Sequence, residues 1–516
     1  MRARNRMRAK SWLCYALALI LRSVFALFLA LALILALFFY LYCCMKKAFP
    51  LLCVLVIAGI FSLNFSSESA FASENYFSKG EADDSTAISM FFASALSEGQ
   101  AYYNLQELCR RHPKRLSGSH GAADAVEFCR KLMVGMKLDS VWLQPCMVPR
   151  WERGSIETGS IIQGKSREAV KLCALGNSAA TPAAGINAQV VEVSSFEELE
   201  KLGSAEVKGK IVFFNHPFKE EFISPFDAYS EAARFRTRGP AAAQKLGAAA
   251  VLVRSMAHIH DPNPHTGNTR FDSLQTNLPA AALSTVAADT LSKRLKKNSL
   301  LRFELKLNCR QLPDVLSYNV IGEIRGREFP KEVIVLGGHL DAWDLGEGAH
   351  DDGAGCMQSV EVLRIFKRFE IKPRRTIRVV LWMNEENGLR GGNAYAAWAK
   401  QSSEKHIAAI ESDAGGFSPR GFGISGSAAQ TAQFLSWKTL LSNFGAGDLH
   451  TGGGGADIGP LEPLGTALIG LEPDQQRYFD YHHTAADVFT AVNRRELHLG
   501  AAAMCSLVWL IDRHGI

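Results

Sequence analysis

Outside its first 72 residues, the sequence has no excess of positive charge. Of its 57 Lys and Arg and 51 Asp and Glu side chains, residues 1–72 hold eight basic and one acidic, which leaves 49 basic and 50 acidic groups in residues 73–516. Proteins that bind nucleic acid usually carry a basic surface. The net charge of +6 belongs to the leader alone, and nothing in the sequence argues for a nucleic-acid partner.

The sequence also lacks a cysteine framework. Four of the eleven cysteines lie in the leader, and the other seven are scattered without a Cys-x-x-Cys pair. Disulfide-stapled domains have dense cysteines, so we expect most of the seven to be buried free thiols. Repeats and low-complexity tracts are absent outside the leader as well. A chain of 516 residues with 47% hydrophobic side chains is expected to fold into two to four packed domains.

The leader contains two apolar runs. Residues 23–44 carry no charge, follow a basic flank and are long enough to span a bilayer. In the second run, Met45 and two lysines form a positive start, and residues 48–65 are apolar. Residues 70–72 (Ala-Phe-Ala) then form a small-x-small cleavage site before Ser73. This order is typical of a signal peptide.

Two interpretations of the leader remain open. In the first, Met45 is the true start, residues 45–72 are a signal peptide, and residues 1–44 come from an over-extended start. The protein is then secreted or periplasmic. In the second, residues 23–44 are retained and anchor the protein in a membrane.

The remainder of the chain divides into three regions with different predicted secondary structure. Residues 73–153 are largely helical, with one long amphipathic helix over 87–111 and a linker at 148–154. Residues 154–312 contain short β-like runs, which predict a small β-rich module with its own core. Residues 313–516 alternate strands with helices, a pattern typical of an α/β domain with a mixed, largely parallel sheet flanked by helices.

Side chains able to bind a metal follow several of the hydrophobic strand runs in the C-terminal part. His339, the adjacent pair Glu385 and Glu386, and Asp413 each stand just after such a run. In an open α/β sheet, the carboxyl ends of the strands face one crevice, where ligands bind. Imidazoles and carboxylates that meet there favour a borderline divalent ion such as Zn²⁺.

Adjacent glutamates suit a hydrolytic metal site. Successive side chains of an extended backbone point in opposite directions, so one can ligate metal while the other takes a proton from a water. Two ions that share a carboxylate would also polarise a scissile carbonyl. Each motif also has an explanation without function. The Asp-Asp-Gly sequence at Asp351 could form a turn, the two glutamates could lie on a solvated surface, and His482 and His483 could belong to a loop. We expect the three histidines of residues 258–265 to be loop histidines outside any metal site.

With these motifs, the sequence resembles the co-catalytic di-zinc aminopeptidase family from about Ala87 to its end. The similarity includes residues 115–119 (Arg-Leu-Ser-Gly-Ser), 151–154 (Trp-Glu-Arg-Gly) and 264–267 (Pro-His-Thr-Gly). The β-rich module, residues 154–312, is similar to the protease-associated domain inserted in these enzymes.

The resemblance implies five metal ligands, a general base and two supporting carboxylates. The implied roles are Asp351 as the carboxylate bridging two Zn²⁺ ions, His339 and Asp413 as further ligands of one ion, Glu386 and His483 as further ligands of the other, Glu385 as general base and acid, and Asp341 and Asp487 as supporting groups. Asp341 would orient His339. His483 is preferred to His482 because the family ligand directly precedes a Ser or Thr. Asp457 also matches a family segment near the active site, without an assigned role.

The resemblance further implies an exported exopeptidase, with homodimers as in its relatives, that acts on dipeptides or short peptides with free termini. Two other classes stay open: a catalytically inactive, receptor-like binding protein, and a single-zinc acyl transferase such as a glutaminyl cyclase. The complete set of ligands argues against the first class. The intact second metal site and the inserted module argue against the second.

We expect the mature native protein to begin at or near Ser73, because the leader contains a complete cleavage signal. N-terminal sequencing of protein purified from its own cells measures this directly. A mature chain that retains residues 23–44 would contradict the signal-peptide interpretation and establish a membrane anchor.

Overall fold

The computed structural model describes residues 83–271 and 277–516. The two apolar runs of the leader and the predicted cleavage site before Ser73 lie outside these ranges. Within the ranges, no helix combines the length and the apolar character that crossing a bilayer requires.

The described helices are distributed along the whole of both ranges. The α-helices are α1 (Asp84–Glu98), α2 (Ala101–Arg111), α3 (His120–Gly135), α4 (Phe196–Val207), α5 (Pro225–Thr237), α6 (Gly239–Lys245), α7 (Thr285–Lys297), α8 (Ala354–Arg368), α9 (Arg390–Gln401), α10 (Ala428–Ser436), α11 (Lys438–Ser442), α12 (Tyr478–Tyr481) and α13 (Arg494–His514). Single turns of other helix types lie at Ala349–Gly353, Gly459–Leu464 and Phe489–Ala491.

The strands form two sheets. They are β1 (Ser140–Glu152), β2 (Glu157–Gln163), β3 (Ser166–Val170), β4 (Leu172–Ala174), β5 (Ile186–Val193), β6 (Ile211–Phe214), β7 (Ala250–Arg254), β8 (Ala280–Leu283), β9 (Arg302–Leu307), β10 (Arg310–Ile324), β11 (Phe329–His339), β12 (Arg375–Trp382), β13 (Lys405–Glu411), β14 (Pro419–Ser425), β15 (Asp448–Thr451) and β16 (Ala467–Pro473).

The first sheet has eight strands in the order β1-β10-β12-β11-β13-β16-β14-β15. Its centre, from β12 through β11 and β13 to β16, is parallel. β10 and β1 add antiparallel strands on one side, and β14 pairs antiparallel with β16 on the other. The α/β fold with a mixed sheet and flanking helices, predicted from the strand–helix alternation, is confirmed. Because β12, β11 and β13 are parallel neighbours, their carboxyl ends lie side by side.

The second sheet also has eight strands, in the order β3-β2-β9-β5-β6-β7-β8-β4. β5, β6, β7 and β8 run parallel, and the other pairs are antiparallel. All of its strands come from the chain between Glu157 and Leu307. Its apolar side chains form buried clusters of their own, which extend to Trp343 and Phe417 of the first sheet's loops.

Two buried helices cover the centre of the first sheet. In α13, every residue from Gly500 to Asp512 is buried, and α8 is buried on nearly all sides. Because both helices are buried on nearly all sides, they form part of the core rather than its surface. The seven cysteines of the described ranges are all buried and none forms a disulfide, as the sequence predicts.

Two local predictions are wrong. The single helix expected over 87–111 is interrupted at Gly99, where α1 ends and the Gly99 N–H bonds to the Ala95 carbonyl. The linker expected at 148–154 is instead largely the end of β1, where Trp151 is buried and pairs with Gln311. Proline and glycine beside a polar run suggested a linker, but the long partner strand β10 continues the pairing.

The start of α8 approaches the end of β13 so closely that a side chain at Gly355 would overlap the carbonyl oxygen of Ser412. We expect Gly355→Ala to lower the free energy of unfolding by about 1–3 kcal/mol, the usual cost of overpacking. Gly135→Ala is the matched control, because this exposed helical glycine has open space around its Cβ. Denaturant unfolding followed by circular dichroism measures both. Equal stabilities for the two variants would contradict the close approach.

Candidate metal centre

The predicted ligands meet at the carboxyl edge of the first sheet. His339 is the last residue of β11, and Glu385 and Glu386 follow the end of β12. Asp413 lies two residues beyond β13. Asp351 lies in the turn that leads into α8, and His483 lies two residues beyond the end of α12. Parallel neighbours thus bring together residues 339 to 413, and the loop after α12 adds His483, 144 positions from His339.

One group of ligand atoms surrounds Oδ1 of Asp351. His339 Nε2 lies 3.2 Å from this oxygen and 3.4 Å from Asp413 Oδ1. His339 and Asp351 are buried, whereas a quarter of the Asp413 side chain is exposed. The three donor atoms are close enough to bind one ion.

A second group surrounds the other oxygen of the same carboxylate. His483 Nε2 lies 3.4 Å from Asp351 Oδ2 and 3.1 Å from Glu386 Oε2. All three side chains are buried. Asp351 therefore presents one oxygen to each group, which is the arrangement of a bridging carboxylate.

His482 lies closer to the site than the sequence suggested. Its Nε2 is 3.8 Å from Asp351 Oδ2, and its ring stacks on that of His483 with centroids 3.5 Å apart. The ring also contacts Tyr229 and Phe479 edge-on. His483 differs in that it has a buried glutamate opposite its Nε2, and the choice between the two as ligand stays a prediction.

Asp341 holds the site in a way that the sequence did not reveal. Its backbone carbonyl, not its carboxylate, accepts a hydrogen bond from His339 Nδ1 at 2.8 Å. The carboxylate accepts the backbone N–H groups of Asn384 at 2.6 Å and Glu385 at 3.1 Å. Asp341 thus fixes both the His339 ring and the start of the glutamate segment.

The backbone around Asp351 is held from two sides. The Asp487 carboxylate accepts the N–H groups of Ala349, His350 and Asp351 at 2.7–3.2 Å. The buried Arg115 guanidinium donates to the carbonyls of Leu340, Glu347 and Gly348 at 2.5–2.9 Å. Arg115 belongs to a segment that carried the family resemblance, but its sequence gave no sign of this role.

Asp352, the neighbour of Asp351, holds the backbone at His339 and at the start of α8. Its carboxylate accepts the backbone N–H of His339 and that of Gly355, each at 3.0 Å. Ser117 and Asn387 support the segment that carries the two glutamates. Ser117 Oγ donates a hydrogen bond to Asn387 Oδ1 at 2.8 Å. Asn387 is therefore a supporting residue and not a ligand.

The donor set fits zinc. Asp351 Oδ2 and Asp413 Oδ1 are buried without a hydrogen-bond donor. Buried carboxylates without donors are costly unless a cation compensates them. Imidazole nitrogens and carboxylate oxygens are ligands that Zn²⁺ prefers. The residues that could hold such ions are the five that the sequence predicted, together with His482, whose donor atom groups with those of Asp351 and His483.

Glu385 faces a cavity of about 760 Å³ beside the two groups. Desolvation raises its pKa to about 8; the imidazole of His339 opposes this shift, and the Asp413 carboxylate adds to it. A higher proton affinity makes the carboxylate a stronger base. The positive charge of bound metal would act in the opposite direction. The cavity is also lined by Tyr229 and Arg236 of α5, so the second sheet's connections form part of its wall.

The histidines of residues 258–265 form no metal group within the described ranges. His258 and His260 are exposed, and His260 pairs with Asp289. His265 is buried, and desolvation together with the Arg236 charge lowers its pKa to about 3, so its ring is neutral.

The sequence matches known proteins over most of its length. The family model described as Peptidase family M28 matches residues 319–508. Carboxypeptidase Q of Bos taurus is 32% identical over 415 residues, which cover 80% of this chain and 86% of that protein. The chain belongs to peptidase family M28. Membership confirms the prediction that the protein is a peptidase.

Solved structures of the family share its fold. The structure of a peptidase M28 precursor from Shewanella amazonensis SB2B has a TM-score of 0.79 at 31% identity, and the match covers 83% of this chain and 96% of that one. A zinc aminopeptidase from Bacillus subtilis has a TM-score of 0.57 at 18% identity, covering 80% and 93% of the two chains. This second likeness concerns the fold alone.

Proposed function

We propose that this M28 peptidase is an exported di-zinc exopeptidase that cleaves dipeptides or short peptides with free termini. The observation that carries the di-zinc assignment is the position of Asp351, whose two oxygens face two separate ligand groups. His339 and Asp413 complete the first group, and Glu386 and His483 the second. A single-zinc acyl transferase would need only one of them.

The mechanism assigns each side chain one task. When bound, zinc supplies Lewis acidity, which polarises the scissile carbonyl and acidifies water. Glu385, which lines the cavity without being part of either ligand group, takes the proton of the attacking water and returns it to the leaving amine. Its neighbour Glu386 points elsewhere: Oε1 accepts the N–H of Trp343 at 3.0 Å, and Oε2 faces His483.

The size and lining of the cavity support a small substrate. Sites for small molecules typically measure about 300–1,000 Å³, and this cavity has a volume of about 760 Å³. Carboxylates line one part of it, and Arg236 gives another part a positive charge. Opposite charges at separate positions suit a short peptide, which carries an amine at one end and a carboxylate at the other.

Two further proposals rest on the sequence. The cleavage signal at residues 70–72 supports export, with the secreted or periplasmic space as the destination. The similarity of residues 154–312 to a protease-associated domain supports a peptidase in which that module forms one wall of the cavity.

Purified wild-type protein should contain two zinc ions per chain and lose activity when a chelator removes them. Asp351→Ala should weaken both sites, because each group uses one oxygen of this carboxylate, whereas His339→Ala should chiefly weaken one. His406→Ala is the control, since His406 is a buried histidine of β13 that bonds to Tyr395, outside the ligand groups. Metal analysis after dialysis measures the stoichiometry. Fully active protein with one ion per chain would overturn the di-zinc proposal in favour of the cyclase-like alternative.

Substituting the adjacent glutamates one at a time should show which of them is the general base and which is a metal ligand. Glu385→Gln keeps the size of the side chain but removes the basic oxygen, so dipeptide turnover should fall by at least about 10²–10⁴-fold while both zinc ions stay bound. Glu386→Gln should loosen one ion, because a neutral amide is a poor zinc ligand. Mass spectrometry of peptide digests and metal analysis of the same samples distinguish the two. Loss of zinc from Glu385→Gln but not from Glu386→Gln would reverse the assignment.

A further inference from the structure

Two segments that carried the family resemblance meet behind the second ligand group. Arg153 lies just after β1, and Thr266 lies between β7 and β8 of the second sheet. Arg153 Nη2 donates to Thr266 Oγ1 at 3.2 Å, and both residues are buried. Neither takes part in the mechanism proposed above.

Thr266 contacts His483 at two points. Its backbone N–H donates to the His483 carbonyl at 3.0 Å, and its own carbonyl lies 3.2 Å from His483 Nδ1. A proton held on Nδ1 by this carbonyl leaves the Nε2 lone pair free, and Nε2 is the atom that faces Asp351 and Glu386. Arg236 Nη1 also lies 3.4 Å from His483 Nδ1 and donates to the same Thr266 carbonyl at 3.3 Å. The shorter contact with the Thr266 carbonyl orients the ring so that Nε2 faces the ligand group.

His483 needs such support from outside its own segment. Its φ of 62° lies in the left-handed region, which is unfavourable for a non-glycine residue. A residue in this conformation persists when its surroundings hold it. The paired hydrogen bonds with Thr266 supply that restraint.

Thr266 is itself fixed through its hydroxyl group. Thr266 Oγ1 donates to the carbonyl of Ala174, the last residue of β4, at 2.9 Å. Arg153 Nη1 donates to the same carbonyl. The Glu157 carboxylate accepts from Arg153 and from the N–H of Ala174, at 3.1 and 2.6 Å. These bonds clamp the Thr266 segment onto the edge of the second sheet.

Arg153 is also connected to Glu386, the other ligand of the group, through Asp344 and Trp343. Its Nε and Nη2 donate to the Asp344 carboxylate at 2.6–2.9 Å. Asp344 follows Trp343, whose N–H bonds to Glu386 Oε1 and whose ring meets His483 edge-on at 5.8 Å. One buried guanidinium thus joins the supports of Glu386 and His483.

We infer that Arg153 and Thr266 are positioning residues for the zinc ligands Glu386 and His483, so that the second sheet forms part of the metal centre. The inference rests on the proposed di-zinc function. Residues that orient zinc ligands typically contribute about 10- to 100-fold in metal affinity. Substitution of Arg153 or Thr266 should lower the zinc affinity of the site formed by Glu386 and His483. The zinc affinity of the site formed by His339 and Asp413 should stay unchanged.

The first test compares Thr266→Val with Thr181→Val. Both replace a buried threonine whose hydroxyl bonds to a backbone carbonyl, but Thr181 bonds to Leu307, away from the ligands. Thr266→Val should weaken zinc binding at one of the two sites by about 10- to 100-fold, and Thr266→Ser, which restores the hydroxyl, should recover it. Titration against a zinc chelator measures both affinities. Thermal melting of the metal-free proteins shows whether the variants are folded.

A second pair of variants tests Arg153 in the same way. Arg153→Lys keeps the charge but cannot reach Asp344, Ala174 and Thr266 together, so it should also weaken one zinc site. Arg378→Lys is the control, because Arg378 is a buried arginine paired with Glu323 and Glu404 on the first sheet. If Thr266→Val does not fold, the comparison of Arg153→Lys with Arg378→Lys tests the positioning role.

The outcomes separate this inference from the function on which it rests. Wild-type protein with fewer than two zinc sites would contradict the di-zinc function itself. Two sites in wild type, with unchanged affinities in folded Thr266→Val or in folded Arg153→Lys, would overturn the positioning role alone. Equal weakening in the controls would also overturn it, because the effect would then reflect any loss of a buried hydrogen bond.

Discussion

The site depends on the compensation of buried negative charge. Asp351, Glu386 and Asp413 lie within 3.1–3.4 Å of two imidazoles at the end of a sheet, where the first two are buried and a quarter of the Asp413 side chain is exposed. Carboxylates at this density are stable in ionised form only when cations neutralise them. Two divalent ions with a shared carboxylate satisfy that requirement, and the donor atoms are already arranged for it.

The surrounding structure holds these ligands through backbone groups. Asp487 and Arg115 fix opposite polar groups of the turn around Asp351, the first by accepting N–H groups and the second by donating to carbonyls. Asp341 and Asp352 fix the segments of His339 and Glu385 in the same manner. Because the restraints act on the backbone, Asp351 Oδ2 and Asp413 Oδ1 remain free of hydrogen bonds that would compete with a metal.

The fold and the positions of the ligands could be predicted because both follow from local pattern. A hydrophobic run followed by His339 or Asp413 identifies a strand end, and parallel order brings strand ends together. The resemblance supplied the pairing of the ligands, including the shared role of Asp351. The family comparison confirms the peptidase fold, whereas the individual roles await the zinc measurements.

What the sequence could not provide were contacts between distant segments. Asp341 was expected to orient His339 with its carboxylate, but the carbonyl does so, since backbone groups leave no signature in a sequence. The break at Gly99 and the extension of β1 through Trp151 likewise depend on tertiary partners rather than on local propensity. In the sequence, Thr266 and Arg153 could be recognised only as residues of motifs that resemble those of the family.

The separation of these contacts along the chain bears on how the protein acquires its metal. Arg153 and Asp344 are 191 positions apart, and Thr266 and His483 are 217 apart. Closing a loop of this length costs conformational entropy before the contact contributes any stabilising free energy. Such contacts therefore form late in folding. The segment that matches the family model, residues 319–508, contains all five ligands but neither Arg153 nor Thr266. With the roles proposed for Arg153 and Thr266, zinc binding requires residues outside this segment, so the segment alone would not suffice for truncation or domain grafting.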